Sequence, residues 1–360
     1  MNVPSTSGKL AGIVAFSGLV LLAGPRAGGH GHGHHGGPPV LVTPLGSQSG
    51  DLCRNDRAVL FQDPTGVRIL YDPGRTVNDG SDSRLGDIHV LLLSHAHGDH
   101  IGDQYVGTAG CGAGPNGAAF PQSNFAAIAA AKNSVAIAGG ELFAGNTSGF
   151  LNRKIQNLRG VTTPNCPSAG VANEVTVPRT EPCVAGIRVG ASRTVRLDGA
   201  AAAVRIATVP AIHSSGIAGN LIDAASPGSS GTTGYGGDAV GFVVMFTNGA
   251  AIYLTGDTGF FGDMETIVRR YYKANAAVFN IGDIFSTGPD EAAFAVKELL
   301  KVRTVIPSHT NEASTTSGAV NPGTRLERFI QQVGDEAKVV VPLSGVTICL
   351  DGHGKQVGCP

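Results

Sequence analysis

The sequence predicts an α/β protein with two mixed sheets inside and helices outside. Short apolar runs of strand length recur along the chain. Stretches with helical apolar spacing separate them. The alternation occurs in two similar halves, an arrangement that buries two sheets against each other and covers each with helices.

The elements follow in chain order beyond residue 38. VRILYD (67–72) and IHVLLL (88–93) read as buried strands. The alanine-rich segment Phe125 to Ala138 reads as helix. Residues 140–200, rich in Gly, Pro, Asn and Thr, read as an insertion of loops and short strands. VRIATVPAI (204–212) is strand-like, and the polar Gly/Ser segment 223–238 reads as a mobile loop. In AVGFVVMFTNGAAIYLTGD two apolar runs flank Asn248-Gly249, which signals a hairpin. Residues 263–273 and 291–301 have helical spacing, AAVFNI (276–281) and RTVIP (303–307) are strands, and 324–333 is the last helix. VVVPL and VTICL close the chain as strands.

The 360 residues are 42% hydrophobic and 15% charged, enough to bury a sizeable core. The formal net charge of -1 argues against nucleic acid as a partner and against an anionic membrane surface. The N-terminus reads as a signal peptide over residues 1–27. Lys9 precedes the apolar run 10–23, which is short for a membrane span, and cleavage falls after Ala23, Gly24 or Ala27; a membrane anchor that stays attached is the alternative. Residues 28–38 form a His/Gly-rich leader without apolar pattern, placed outside the fold. The folded domain is then 39–360, secreted or periplasmic, with no stable membrane association once the signal is removed. Six cysteines suit an exported protein. Cys166 with Cys183 and Cys349 with Cys359 each close a short loop, leaving Cys53 with Cys111; free buried cysteines are the alternative.

LLLSHAHGDHIGD (91–103) carries the chemistry. His95, His97, Asp99 and His100 lie on the loop after a strand. His95 and His97 point the same way from extended backbone, and Asp99 and His100 turn towards a second point. Imidazole nitrogen and carboxylate oxygen suit zinc and similar ions. Asp99 alone would suit a helix cap. His213, Asp257 and His309 each follow a strand end as well, in IHSS, YLTGDTG and IPSH. Singly they read as a hydrogen-bonded histidine or turn chemistry; their common placement at strand ends reads as a site.

HAHGDH, a lone His, GDTG and another lone His together resemble the metallo-β-lactamase superfamily over most of residues 40–350. The resemblance is closest to the ascorbate-phosphate-lactonase-like metal-dependent hydrolases. It is carried also by YDPG (71–74), GDTGFFGDM (256–264), NIGDIFSTGPDEAA (280–293) and PLSG (342–345). The resemblance implies the metallo-β-lactamase fold, an αββα sandwich. It implies one metal on His95, His97 and His213, a second on Asp99, His100 and His309, and Asp257 between them. Asp72 and Asp283 would stand behind or beside these ligands. Two zinc ions are expected, with manganese or iron as alternatives. Two metals roughly 3.5–4 Å apart activate a shared water and polarise a scissile carbonyl or phosphoryl oxygen. Asp99 would orient that hydroxide and accept its proton, with no Ser or Cys nucleophile needed.

The expected activity is therefore hydrolysis of a small-molecule ester, lactone or phosphoester. Iron-dependent sulfur or oxygen redox chemistry on the same donors is one rival. A non-catalytic metal-binding protein using the His-rich leader is the other. His89 reads as a packed strand histidine and His353 as surface. Ser214 and Ser215 read either as substrate donors or as turn caps. Phe260, Phe261 and Phe285 read either as pocket wall or as core.

Overall fold

Alternation along the strands builds three apolar layers. In Arg68–Tyr71 and Val90–Leu92, Ile69, Tyr71, Val90 and Leu92 face the second sheet. Leu70 and Leu91 face outward, onto a cluster shared with Phe125, Ile128, Leu151 and Ile155 of two helices. On the other sheet, Val278 of strand Ala276–Asn280 faces inward. Ala277 and Phe279 face Val296, Leu300, Leu326 and Phe329 of the opposite helical layer. Every strand residue just named is buried on one side or the other, so the runs are apolar throughout. The result is an αββα sandwich, as the sequence predicts.

The computed structural model describes residues 37–143, 149–167, 170, 172–222 and 233–360. The signal segment and residues 28–36 of the leader lie outside the described residues. The first sheet runs, in spatial order, 356–357, 348–350, 40–44, 59–62, 68–71, 90–92, 135–139 and 183–187. The second runs 338–339, 304–308, 276–280, 251–254, 240–245, 204–210, 192–197 and 174–177. In the first, 68–71, 90–92, 135–139 and 183–187 are parallel neighbours. In the second, 251–254, 276–280, 304–308 and 338–339 are parallel neighbours. The parallel sets matter for function, because loops leaving parallel strands emerge at one edge of a sheet.

The Asn248-Gly249 hairpin forms: Met245 pairs with Ala251, and Gly249 takes φ 100°. The helix Arg325–Val333 is capped by Thr324, which accepts from the Glu327 N–H, while Glu327 accepts from the Gly323 N–H just before the cap.

Two expectations need correction. The segment 125–138 is not one helix. Asn124–Lys132 is helical, Asn133 stops it in the left-handed conformation, and Val135–Gly139 is a buried strand. Alanine suits both environments, and Val135 and Ile137 favour the strand. The 140–200 region is more than loops and short strands. It holds the ten-residue helix Phe150–Arg159 and supplies edge strands to both sheets. Residues 223–232 of the expected mobile loop lie outside the described residues; Thr233–Tyr235 pairs with Gly216–Ala218.

All six cysteines are paired, Cys53–Cys111, Cys166–Cys183 and Cys349–Cys359, as the loop-closure argument expects. Among the described residues no helix is long and apolar enough to cross a membrane.

Gly102 ends the short helix Gly98–Ile101 at φ 69°. A Cβ there would lie 2.2 Å from the Gly74 carbonyl oxygen and 2.6 Å from Asn124 Cβ. Gly50 also has positive φ, 77°, but nothing lies within 4 Å of its hypothetical Cβ. In thermal or urea unfolding, Gly50→Ala is expected to cost about 1 kcal/mol, the conformational strain alone. Gly102→Ala is expected to cost about 2–5 kcal/mol, because the backbone must also move. Equal costs would mean that the 98–102 turn is not held where the structure puts it.

Candidate metal centre

Seven donor side chains leave strand ends on both sheets and converge. His95 and His97 follow Val90–Leu92, and Asp99 and His100 sit in the short helix Gly98–Ile101. His213 follows Val204–Pro210, Asp257 follows Ala251–Leu254, and His309 follows Thr304–Ser308. His309 itself has φ 53°, and Asp72, just past Arg68–Tyr71, has φ 39°. Non-glycine residues held in this region are strained, and such strain gathers at working sites.

Donor atoms of His95, His97 and His213 lie within 4.8 Å of one another. So do those of His95, His100 and Asp257, and those of Asp99, His100 and His309. His97 Nδ1 is 3.0 Å from His95 Nε2 and 3.2 Å from His213 Nε2. Asp257 reaches both sides of the group. Its Oδ1 is 3.5 Å from His100 Nε2, and its Oδ2 is 3.0 Å from His309 Nε2 and 3.8 Å from His213 Nε2. Asp99 Oδ2 is 3.3 Å from His309 Nε2.

Asp72, 1% exposed, stands behind His100. Its Oδ2 is 2.8 Å from His100 Nδ1 and accepts from Ser94 Oγ, while its Oδ1 accepts from the Ser94 N–H. His100 therefore turns Nε2 towards the other donors. Asp283 does not join them. It lies across the cavity in front of the group, where its Oδ1 accepts from the Ile284 N–H.

The remaining candidates separate cleanly. His89 Nδ1 accepts from the Arg68 N–H within the sheet, and His353 is exposed in a C-terminal turn. Ser214 Oγ is 3.2 Å from His97 Nε2, whereas Ser215 is buried and ties Ala96 N–H to the Gly236 carbonyl. Phe285 lines the cavity, Phe260 stacks edge-on with Phe294, and Phe261 packs on the core.

Three residues the sequence did not single out shape the group. Arg57, buried just before strand Val59–Gln62, reaches Asp99 Oδ2 at 3.3 Å and Asn311 Oδ1 at 2.7 Å. Tyr71 hydroxyl accepts from the Gly256 N–H. Ser94 braces Asp72. An arginine one step before an apolar run was the only sequence signal for Arg57; Tyr71 and Ser94 read as ordinary strand residues.

Burial pushes the imidazoles of His95, His97 and His213 down, and neighbouring imidazoles push further, so they stand as neutral donors. Burial also pulls His100 down, but Asp257, Asp99 and Asp72 outweigh it and lift it to about 10. Burial pushes Asp99 and Asp257 up; His100 and His309 outweigh it for both, aided by Arg57 at Asp99, and hold them well below the carboxylate range. The pocket thus keeps its carboxylates ionised and strongly favours positive charge among them.

The donor set fits a divalent cation. His100 Nε2, His309 Nε2 and Asp257 Oδ1 are buried without a hydrogen-bond partner. Leaving such atoms bare is costly, and a cation at the point they share would satisfy them. Nitrogen and carboxylate oxygen in this mixture suit zinc and its neighbours.

Residues 162–310, which include His213, Asp257 and His309, match the family described as Beta-lactamase superfamily domain. A UPF0173 metal-dependent hydrolase of Thermococcus onnurineus is 31% identical over 276 residues, covering 76% of this chain and 88% of the relative. Another, from Cupriavidus necator, is 29% identical over 316 residues, covering 86% and 88%. Among solved structures, Igni18, a metallo hydrolase of Ignicoccus hospitalis, shares the fold with a TM-score of 0.51 at 21% identity. That match covers 86% of this chain and 98% of Igni18.

Asp72→Asn removes the negative charge behind His100. It is expected to weaken zinc uptake about 10–100-fold in competition with a chromogenic chelator, with the fold kept by circular dichroism. Unchanged affinity in a folded variant would show that Asp72 serves the sheet edge and not the centre.

Proposed function

The chain belongs to the UPF0173 metal-dependent hydrolases, within the metallo-β-lactamase superfamily, and from that premise we propose an exported enzyme that cleaves an ester, lactone or phosphoester of a small molecule. The carrying observation is the convergence of His95, His97, Asp99, His100, His213, Asp257 and His309 in three overlapping groups, with three buried donor atoms among them lacking hydrogen-bond partners. In this reading His95, His97 and His213 hold one metal, Asp99, His100 and His309 the second, and Asp257 serves both. Zinc suits the donors. Bound metal would supply a water nucleophile at neutral pH and polarise the carbonyl or phosphoryl oxygen under attack.

The protein's own groups divide the remaining work. Asp99, whose side chain is 29% exposed to the cavity, stays ionised and accepts a proton at Oδ2. Arg57 and His309 fix the direction of that oxygen. Ser214, exposed beside His97, offers a hydroxyl to substrate. All six cysteines are in disulfides, so no thiolate competes for the nucleophile's role. Those disulfides, with the apolar segment at 10–23, support export.

Metal per chain, measured by mass spectrometry on protein without residues 1–37, tests the reading. About two zinc ions are expected. Asp257→Ala is expected to lose at least one of them and nearly all hydrolysis of activated esters and lactones. One iron per chain would favour redox chemistry. A folded, zinc-supplied protein that binds none would sink the centre.

A further inference from the structure

In front of the seven donors lies a cavity of about 790 Å³, floored by His97, Asp99, His213, Asp257 and His309. Its walls carry two other kinds of group. Ile284 and Phe285 are 80% and 79% exposed at its mouth. Asp283 and Ile284 both hold positive φ, 62° and 64°, which for a β-branched residue costs about 1–3 kcal/mol. The loop is pinned all the same, by Asp283 N–H to Thr287 O and Thr287 N–H to Thr258 O. A strained, pinned loop that keeps two bare apolar side chains at a site mouth suits an apolar part of a ligand.

Arg54 and Arg325 are the cations of the lining. Arg325 is committed, through Nη1, to the Thr310 carbonyl and the Glu312 carboxylate. The guanidinium of Arg54 has no hydrogen-bond or ion-pair partner among the described residues. The backbone beneath it is fixed from several sides. Cys53 is crosslinked to Cys111, the Cys53 N–H donates to Asp56 Oδ2, and Asn55 Nδ2 donates to the Ala113 carbonyl. Arg57 Nη1 donates to the carbonyl of Arg54 itself. A free cation on a clamped turn pays less ordering entropy when it pairs. A guanidinium also matches carboxylate and phosphate geometry with two parallel hydrogen bonds.

Resting on the hydrolase reading, we infer that the substrate carries an anionic oxygen group, carboxylate or phosphate, joined to its scissile bond by a short apolar stretch. Arg54 selects the anion, and Ile284 and Phe285 cover the apolar stretch.

Calorimetric titration of the metal-loaded full chain tests this with three probes of one shape. Valerate has one carboxylate and a methyl end, glutarate replaces the methyl with a second carboxylate, and phosphonobutyrate replaces it with a phosphonate. Glutarate or phosphonobutyrate is expected to bind about tenfold more tightly than valerate, and the better of the two names the anion. Arg54→Ala should erase that advantage while leaving valerate affinity and metal content unchanged; Arg54→Lys should keep part of it. Doubly charged probes that bind no better than valerate, or an advantage that survives Arg54→Ala, would overturn the proposal. A wild type that takes up no metal fails at the earlier step, since it removes the hydrolase reading itself.

Discussion

Beside the converging donors the two sheets are joined at a seam, and the donor group depends on it. Ser94, at the end of strand Val90–Leu92, accepts at its carbonyl from the Val240 N–H of the opposite sheet. Gly256 lies so close that a Cβ there would meet Ser94 Cβ at 2.7 Å, and its N–H donates across the seam to Tyr71 hydroxyl. Only glycine allows that approach at φ 61°. On one side of the seam the chain proceeds into His95–His100, and on the other into Asp257. Neither sheet alone holds the donors; their contact makes the group.

What the seam assembles is electrostatically expensive. Two carboxylates and five imidazoles crowd together, largely buried, and a third carboxylate, Asp72, is sealed behind His100. Burial by itself would neutralise the acids and strip charge from the imidazoles. The arrangement escapes this because opposite charges face each other at short range, His100 against three aspartates and Asp99 against Arg57. A metal at that point would replace the proton as the counter-charge, and its binding would then be coupled to folding stability.

The site was far more legible in the sequence than the elements around it. H-x-H-x-D-H compresses four donors into one loop, and a donor just past a strand end is visible once the strand is. The fold class was legible for the same reason, since buried parallel strands are short unbroken apolar runs. Helix and strand became indistinguishable where alanine dominates, in 125–138, because Ala fits either packing and the decisive break is a single left-handed Asn133. Helix Phe150–Arg159 was hidden by the Gly, Pro and Asn around it. Arg57 and Tyr71 act across sequence distance, on Asp99 and Gly256, and no local pattern encodes such a contact.

This division between local and distant encoding bears on what can vary. The donors sit on short loops fixed by strand register, by the seam and by a glycine at 102 that tolerates no side chain. The cavity wall is carried differently. Arg54 rides on a turn held by a disulfide and by Asp56, and Ile284 and Phe285 ride on a loop that Thr287 ties to Thr258 and to the strand residue Asn280. These supports run through the backbone and through Cys53, Asp56 and Thr287, not through the side chains of Arg54, Ile284 or Phe285. The converging donors are thus tied to the sandwich, and the cavity wall to its rim. A clamped turn and a strained loop keep the rim ordered.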